Sequence, residues 1–161
     1  MNADMMMRPL RVVVMGSLMS LLCLASMGRA GTSDWLILPE EAAMAPAPEP
    51  KRGILEIGRE DISLGPIIEI VEPLNGGRGS MPIQVLIHFT PRAEPVDLAS
   101  LKVTLVKFIL IDITDRIRPY VTPDGIQVKE AKIPTGKHRV RIVVADKTGE
   151  FSMKEVSFEV L

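Results

Sequence analysis

The chain has 161 residues, a formal net charge of −1, 4% aromatic residues and a single cysteine. This length favours one domain with extensions, and the near-neutral charge argues against nucleic acid as a partner, because nucleic-acid-binding proteins carry a basic stripe. One cysteine cannot form a disulfide within the chain, so the domain must rely on its hydrophobic core.

The first thirty residues have the pattern of a secretory signal peptide. Arg8 and Arg11 precede an apolar run, 12–27, and the tripeptide 28–30, Gly-Arg-Ala, places small residues before a cut after Ala30. A basic start, an apolar centre and a small-x-small ending are typical of export. We therefore expect a periplasmic or secreted protein. An uncleaved membrane anchor is the rival interpretation, although the run falls short of the roughly 20 apolar residues that span a membrane.

Cleavage after Ala30 would also remove Cys23. The residue before this cysteine is Leu22, whereas acylation of a lipoprotein needs a small residue there, so we do not expect a lipid anchor. The loss of three arginines and one aspartate would change the formal charge from −1 to −3.

Residues 31–53 are predicted to form a flexible N-terminal segment that ends in a Pro-rich linker. The apolar peptide 35–38, Trp-Leu-Ile-Leu, is followed by 39–50, a tract of Pro, Ala and Glu that predicts an extended, solvated spacer. This combination suggests a docking peptide that adds a strand or a helical turn to a partner. Two alternatives stay open: a loose terminus, or a segment that packs on its own domain.

Residues 54–161 contain short apolar runs separated by turn residues, which is the pattern of a β-sandwich of about seven strands. Alternation of apolar and polar residues is clearest in 83–90. The Gly-rich stretch 73–80 predicts a flexible connection, because it lacks the Gly-Lys-Ser/Thr ending of a phosphate-binding loop. The predicted strands are 54–57, 66–71, 83–90, 101–108, a strand that starts with 126–128, and two C-terminal arms.

The segment 109–122 combines strand and helix signals. Ile111 continues an alternation of apolar residues, and Asp112 can cap a helical turn that places Ile113 and Ile117 on one face. We predict a strand that ends near Ile111 and one helical turn after it. A fully extended segment is the alternative.

The C-terminal stretch 136–161 predicts a β-hairpin, because two arms rich in β-branched residues flank the polar turn 146–149. In the second arm Phe151 and Met153 have odd parity, whereas Val156 and the apolar residues after it have even parity. A shift of one residue moves every side chain to the other face of a strand. We therefore predict a β-bulge between Met153 and Val156.

Three stretches of this hairpin have a characteristic order. They are GKHRV (136–140), VADKTG (144–149) and FEV (158–160). They resemble the last two strands of bacterial immunoglobulin-like domains of exported proteins, and 66–83 looks like the first strands of such domains. The resemblance covers about 66–161 and implies an Ig-like antiparallel β-sandwich, with roles in adhesion, as a spacer or as an accessory domain. The Cys and Trp core markers of antibody domains are absent, and 109–121 departs from the family pattern.

Side chains with catalytic or ligand-binding chemistry are sparse. His88 and His138 are the only histidines, predicted on an outer face and at the rim of the core, and no G-x-S-x-G motif accompanies them. No set of His, Met or carboxylate residues has the close spacing of a metal site. We therefore expect no enzyme activity, metal or cofactor.

Arg139 and Arg141 fall on the outer face of the first hairpin arm. Glu155 or Glu159 in the second arm could pair with them, and such exposed pairs stabilise a sheet by about 0.2–1 kcal/mol each. A solvated charged face is therefore favoured over an anion-binding patch.

The sequence as a whole favours an exported, non-enzymatic module that contacts an unidentified envelope protein. Nucleic acid is not expected as a partner, and a membrane is expected only through an uncleaved signal sequence. The alternative is a periplasmic module that binds carbohydrate or a metal ion. The expected contact residues are Trp35, Leu36, Ile37, Leu38, Ile117 and Tyr120.

Overall fold

The structure, a computed structural model, describes residues 35–48 and 62–161. The predicted signal peptide with its cut after Ala30, and the predicted strand 54–57, lie outside these residues. The described residues form an all-β fold with short helical turns. In this part of the chain no helix has the length and apolar character needed to span a membrane.

The described residues contain ten strands, numbered in chain order, and two short helices. The strands are β1 (Ile62–Ser63), β2 (Ile67–Glu72), β3 (Gly77–Gly79), β4 (Ile83–Thr90), β5 (Val96–Val106), β6 (Leu110–Asp112), β7 (Val121–Thr122), β8 (Gly125–Ala131), β9 (Gly136–Asp146) and β10 (Phe151–Val160). Helix α1 (Pro39–Ala42) precedes the strands. Helix α2 (Thr114–Ile117) and a 3-10 turn (Arg118–Tyr120) connect β6 to β7.

The strands form two sheets with the core between them. The first sheet has the order β2-β4-β8-β7, and the second has the order β1-β10-β9-β5-β6, with β3 also paired to β10. All pairings are antiparallel except β3 with β10, which is parallel. Leu105, Ile142 and Val144 on the central strands of the second sheet have no exposed surface. Alternate apolar residues of the two sheets thus meet face to face, as in a β-sandwich.

The structure confirms the predicted strand over 83–90 and the mixed character of 109–122. In β4, burial alternates from Ile83 onward, as period-two apolar patterning requires. Strand β6 is followed by α2, and both Ile113, which directly precedes this helix, and Ile117, which ends it, are buried. The Asp112 carboxylate accepts a hydrogen bond of 2.9 Å from the Thr114 N–H, which stabilises the start of the turn.

The predicted hairpin of β9 and β10 is confirmed, but the predicted bulge in its second arm is wrong. Pairing continues without interruption from Phe151 opposite Ala145 to Val160 opposite Gly136. Even-numbered residues of β10 therefore face the core throughout, and Ser152 is buried whereas Phe151 is 40% exposed. Continuous backbone pairing outweighs the burial of Phe151, so this aromatic ring remains on the outer face.

The Gly-rich stretch 73–80 is not a flexible connection. It contains β3, which pairs in parallel with residues 158–160 of β10. The Asn75 side chain accepts a hydrogen bond from the Ser157 N–H at 3.0 Å. A Cβ at Gly79 would lie 2.8 Å from Ile83 Cδ1, so the absence of a side chain lets this strand approach the first sheet closely.

Replacing Ser152 with alanine is expected to stabilise the fold. The Ser152 hydroxyl is buried and has no hydrogen-bond partner in the part of the chain that the structure describes. Removing an unsatisfied buried hydroxyl should raise the free energy of unfolding by about 1 kcal/mol, measured by urea denaturation. Ser157→Ala, half-buried on the opposite face of β10, is the control and should change it by less than about 0.5 kcal/mol. A clear loss of stability in Ser152→Ala would show that the hydroxyl makes a stabilising hydrogen bond and would contradict the prediction.

Candidate contact surface

The predicted docking peptide is part of the domain's own core. Leu36 is 4% exposed and Ile37 is 1% exposed, both within the main hydrophobic cluster. The Leu36 N–H donates to the Lys132 carbonyl at 3.1 Å, and Trp35 forms a parallel bridge with Lys132. Burial of an aliphatic side chain stabilises a fold by about 1.5–3 kcal/mol. Leu36 and Ile37 are therefore not available to a partner, and Trp35 and Leu38 are half-buried.

The tract that follows is also fixed to the sandwich, which corrects the expectation of a solvated spacer over the described residues 39–48. Helix α1 begins at Pro39, a position where proline's missing N–H costs no helical hydrogen bond. Further along, Pro46 forms an antiparallel bridge with Lys107, and the Phe108 N–H donates to the Ala45 carbonyl at 2.9 Å. The segment 35–48, called the N-terminal strap below, thus contacts the chain between β8 and β9 and the end of β5.

An ion pair between Glu41 and Arg116 fastens the strap to helix α2. Two hydrogen bonds of 2.6 Å join the guanidinium to the carboxylate, and Glu41 also accepts the Leu38 N–H at 2.9 Å. The hydrogen bond from Arg116 holds the pKa of Glu41 below its ordinary value, against the opposing effect of burial. A bidentate pair fixes both distance and orientation.

A buried lysine makes a second attachment. Lys107 is 5% exposed, and its ammonium donates to the carbonyls of Ala42 at 3.0 Å and Lys137 at 3.2 Å. Burial lowers the pKa of Lys107. Two carbonyl acceptors compensate part of the cost of desolvating an ammonium, so Lys107 links the strap to β9.

The predicted contact residues of segment 109–122 separate into one buried and one exposed side chain. Ile117 is 5% exposed because it lies four residues after Ile113, on the face of α2 that packs on the core. Ile117 is therefore part of the core and not exposed for a contact. Tyr120 is 38% exposed and stays a candidate.

The turn between β5 and β6 carries an exposed apolar group that the sequence analysis did not single out. Phe108, Ile109 and Leu110 are 74%, 53% and 59% exposed, and we call these three residues the apolar edge. Consecutive apolar residues at 108–111 span both parities of a strand, which could have indicated that some of them must face outward.

Strand β6, which starts at Leu110, lies at the end of the second sheet. Within the described residues no strand pairs with its other side. The Ile113 N–H donates to Val103 and the Lys107 N–H donates to Ile109. Odd-numbered residues therefore bond to β5, and the backbone groups of Leu110 and Asp112 point to the free side.

The two outward arginines of β9 have different surroundings. Arg141 forms an ion pair of 2.7 Å with Glu155, as the cross-strand pattern suggested. Among the described residues Arg139 has no such partner, and its Nη1 is shielded from solvent without an acceptor there. Glu159 instead pairs with Arg78 at 2.9 Å.

Arg139 lines an open groove of about 310 Å³ on the outer face of the second sheet. Its floor includes Lys137 and Ser157 from β9 and β10. Ala47 of the strap borders one part of it, and the turn 76–77 borders another.

Within the described residues no group of three or more His, Cys, Asp and Glu is arranged to hold a metal ion, and the two histidines lie on strands of different sheets, His88 on β4 and His138 on β9. His138 is 3% exposed, donates from Nε2 to the Pro134 carbonyl at 2.8 Å, and packs against the Phe158 ring. Burial lowers the pKa of His138, which favours the neutral ring. His88 lies half-buried on β4.

Asp146, a candidate calcium ligand by residue type, is used by the hairpin turn. Its carboxylate accepts hydrogen bonds from the Thr148 hydroxyl at 2.7 Å, the Thr148 N–H at 2.9 Å and the Glu150 N–H at 3.1 Å. The Thr148 side chain, followed by these backbone donors, keeps the pKa of Asp146 below its usual value. The oxygen that accepts these bonds stabilises the turn.

Comparison with protein-family models and with curated proteins finds no match. Among solved structures, the chain is similar to the X-ray structure of the endo-β-1,4-mannanase from Thermotoga petrophila, with 14% identity and a TM-score of 0.42. The match covers 66% of this chain and 21% of that protein. A likeness of this size assigns neither a family nor an activity.

Truncation of the strap's apolar side chains tests whether it belongs to the core. Leu36→Ala and Ile37→Ala are each expected to lower the free energy of unfolding by about 2–5 kcal/mol, because each leaves a cavity in the core. Met44→Ala, in the same strap but 38% exposed, is the matched control. It should cost less than about 0.5 kcal/mol in the same denaturation measurement. Equal small effects at all three positions would contradict the burial of the strap and would support the original prediction of a free docking peptide.

The pH dependence of unfolding tests the ion pair. The pKa of Glu41 in the folded state is below its ordinary 4.5, so the pair stabilises the fold above pH 4.5 and this stabilisation is lost as the pH falls through the folded value. Glu41→Gln should cost about 2 kcal/mol at pH 7 and should lose less further stability than the wild type on acidification. Glu40→Gln, exposed on the same turn, should retain the wild-type profile. Parallel profiles for wild type and Glu41→Gln would contradict the role of the pair.

Proposed function

We propose that residues 62–161 form an Ig-like domain. In such domains strands A, B, E and D form one sheet and strands C, F and G form the other. The order β2-β4-β8-β7 corresponds to A-B-E-D, and the run β5-β9-β10 corresponds to C-F-G. This correspondence supports the resemblance noted from the sequence of the C-terminal hairpin.

We propose further that the chain is an exported, non-enzymatic module that acts by contact with another envelope protein. The observation that carries this proposal is the apolar edge. Native sheets protect their edges with charged residues, proline or a covering loop, whereas Phe108, Ile109 and Leu110 present apolar side chains there. Exposed apolar groups concentrated at one place mark interaction sites.

The strap supports this function by holding the apolar edge in place and not by docking to a partner as a free peptide. Its apolar side chains complete the core, and its Ala45 carbonyl fixes the backbone of Phe108. A turn held in one conformation loses less entropy on binding than a flexible one. Tyr120 remains a second exposed aromatic residue near the β6–β7 connection.

Site-specific photo-crosslinking tests the proposed surface. A photoreactive amino acid at position 109, in the cells that produce the protein, should give a discrete crosslinked species of higher mass. The same amino acid at position 151 is the control, because Phe151 is also apolar and 40% exposed but lies at the opposite end of the second sheet.

A double substitution, Phe108→Ser with Leu110→Ser, should abolish the species obtained at position 109. The substituted side chains are exposed, so the free energy of unfolding should change by less than about 0.5 kcal/mol per site. A crosslink at position 151 alone, or one at position 109 that survives the double substitution, would exclude the apolar edge as the contact surface.

A further inference from the structure

The groove beside Arg139 has an unbalanced charge. Three cations, Arg78, Lys137 and Arg139, line it together with one carboxylate, Glu159. That carboxylate is already bound to Arg78 at 2.9 Å. Within the described residues neither Lys137 nor Arg139 has a carboxylate partner, which leaves two positive charges uncompensated.

Of these two cations, Arg139 gives the stronger indication that an anionic partner binds in the groove. Its Nη1 is shielded from solvent and has no acceptor, and a buried donor without a partner costs free energy. Arg141 lies two residues further along the same face of β9. Its guanidinium Nη2 and Nε bind Glu155 Oε1 at 2.7 and 2.8 Å. The fold thus supplies a carboxylate to one arginine and leaves the other without one.

The spacing of the unpaired cations indicates the shape of an anionic partner. Lys137 and Arg139 are alternate residues of β9, so their side chains leave the same face about 7 Å apart. Carboxylates at alternate positions of an extended peptide have the same separation. A strand with two acidic residues that are separated by one intervening residue therefore matches the two cations.

The groove and the apolar edge are joined through the backbone of Val106, which is 7% exposed. Val106 lines the groove with Arg139 and pairs with Leu110 across β5 and β6. An extended peptide that adds to the edge of a sheet gains affinity from main-chain hydrogen bonds and specificity from pockets for its alternate side chains. The groove and the apolar edge can consequently contact one partner.

The geometry points to this groove as a binding site for an extended acidic segment of a partner protein, with alternate carboxylates on Lys137 and Arg139. This inference rests on the proposed contact function and names the chemistry of the partner. The cut predicted after Ala30 would leave the chain with a formal charge of −3. General attraction of polyanions is therefore not expected, and binding must come from the local charge of the groove.

Fluorescence anisotropy with a short labelled peptide tests the site. The probe alternates three glutamates with three serines, and the matched probe replaces each glutamate with glutamine. The purified protein should bind the glutamate probe, should bind the glutamine probe at least about tenfold more weakly, and should lose affinity as salt is added.

Arg139→Gln should weaken binding of the glutamate probe by about tenfold or more, because a charge-assisted hydrogen bond is lost. Arg141→Gln is the matched control, since it removes the same charge from the same face of β9 but from an arginine that Glu155 already occupies. It should change the affinity less than about twofold. Circular dichroism melting of both variants checks that each remains folded.

Three results would overturn the inference: no saturable binding of the glutamate probe, equal losses in Arg139→Gln and Arg141→Gln, or binding of oligogalacturonate in preference to the peptide. The last result would assign the groove to an acidic saccharide. These results leave the crosslink at position 109 unaffected, so failure of the groove can be distinguished from failure of the contact function.

Discussion

The insertion of Leu36 and Ile37 between the two sheets is the interaction on which the other features depend. A sandwich of this size without a disulfide must obtain its stability from buried apolar surface. These two side chains add to the cluster that includes Ile113 and Ile117 of the α2 region. The Glu41–Arg116 pair then joins the strap to α2, so the strap and the irregular connection between β6 and β7 stabilise each other.

The same packing determines which surface remains for a partner. Because Leu36 and Ile37 are buried, these two side chains are not available to a partner. The strap instead borders the groove through Ala47 and fixes Phe108 through the Ala45 carbonyl. The other border is the turn 76–77, which is held by its pairing with β10. Both borders come from segments that composition alone assigns to flexible chain.

The parts of the fold that could be predicted from sequence are those where period-two patterning and turn residues agree. Strand β4, with its alternating Ile, Val, Ile and Phe, and the hairpin around Asp146 follow from these local rules. The local rules do not predict which residues of β10 face the core, because Ser152 occupies a core position and Phe151 an outer one. Local hydrophobicity contradicts the pairing there, and the backbone hydrogen bonds of the hairpin prevail.

The candidate site was less accessible to sequence reasoning because it depends on contacts between distant residues. Register decides whether Glu155 or Glu159 pairs with a given arginine, and Arg78 of strand β3, 81 residues before Glu159 in the chain, pairs with Glu159 instead. No local pattern shows that Arg139 remains unpaired. Similarly, a Pro-rich tract favours a solvated spacer by composition, whereas contacts with distant residues, among them Arg116 and Lys107, hold it against the domain.

Hydrogen exchange at the Leu36 amide measures whether the strap is part of the folded core. This amide donates to the Lys132 carbonyl, and its opening should require unfolding of the core around Ile37. We expect protection comparable to that of amides in the central strand β9, near the free energy of global unfolding. Exchange of Leu36 at the rate of an unstructured peptide, with β9 still protected, would contradict it.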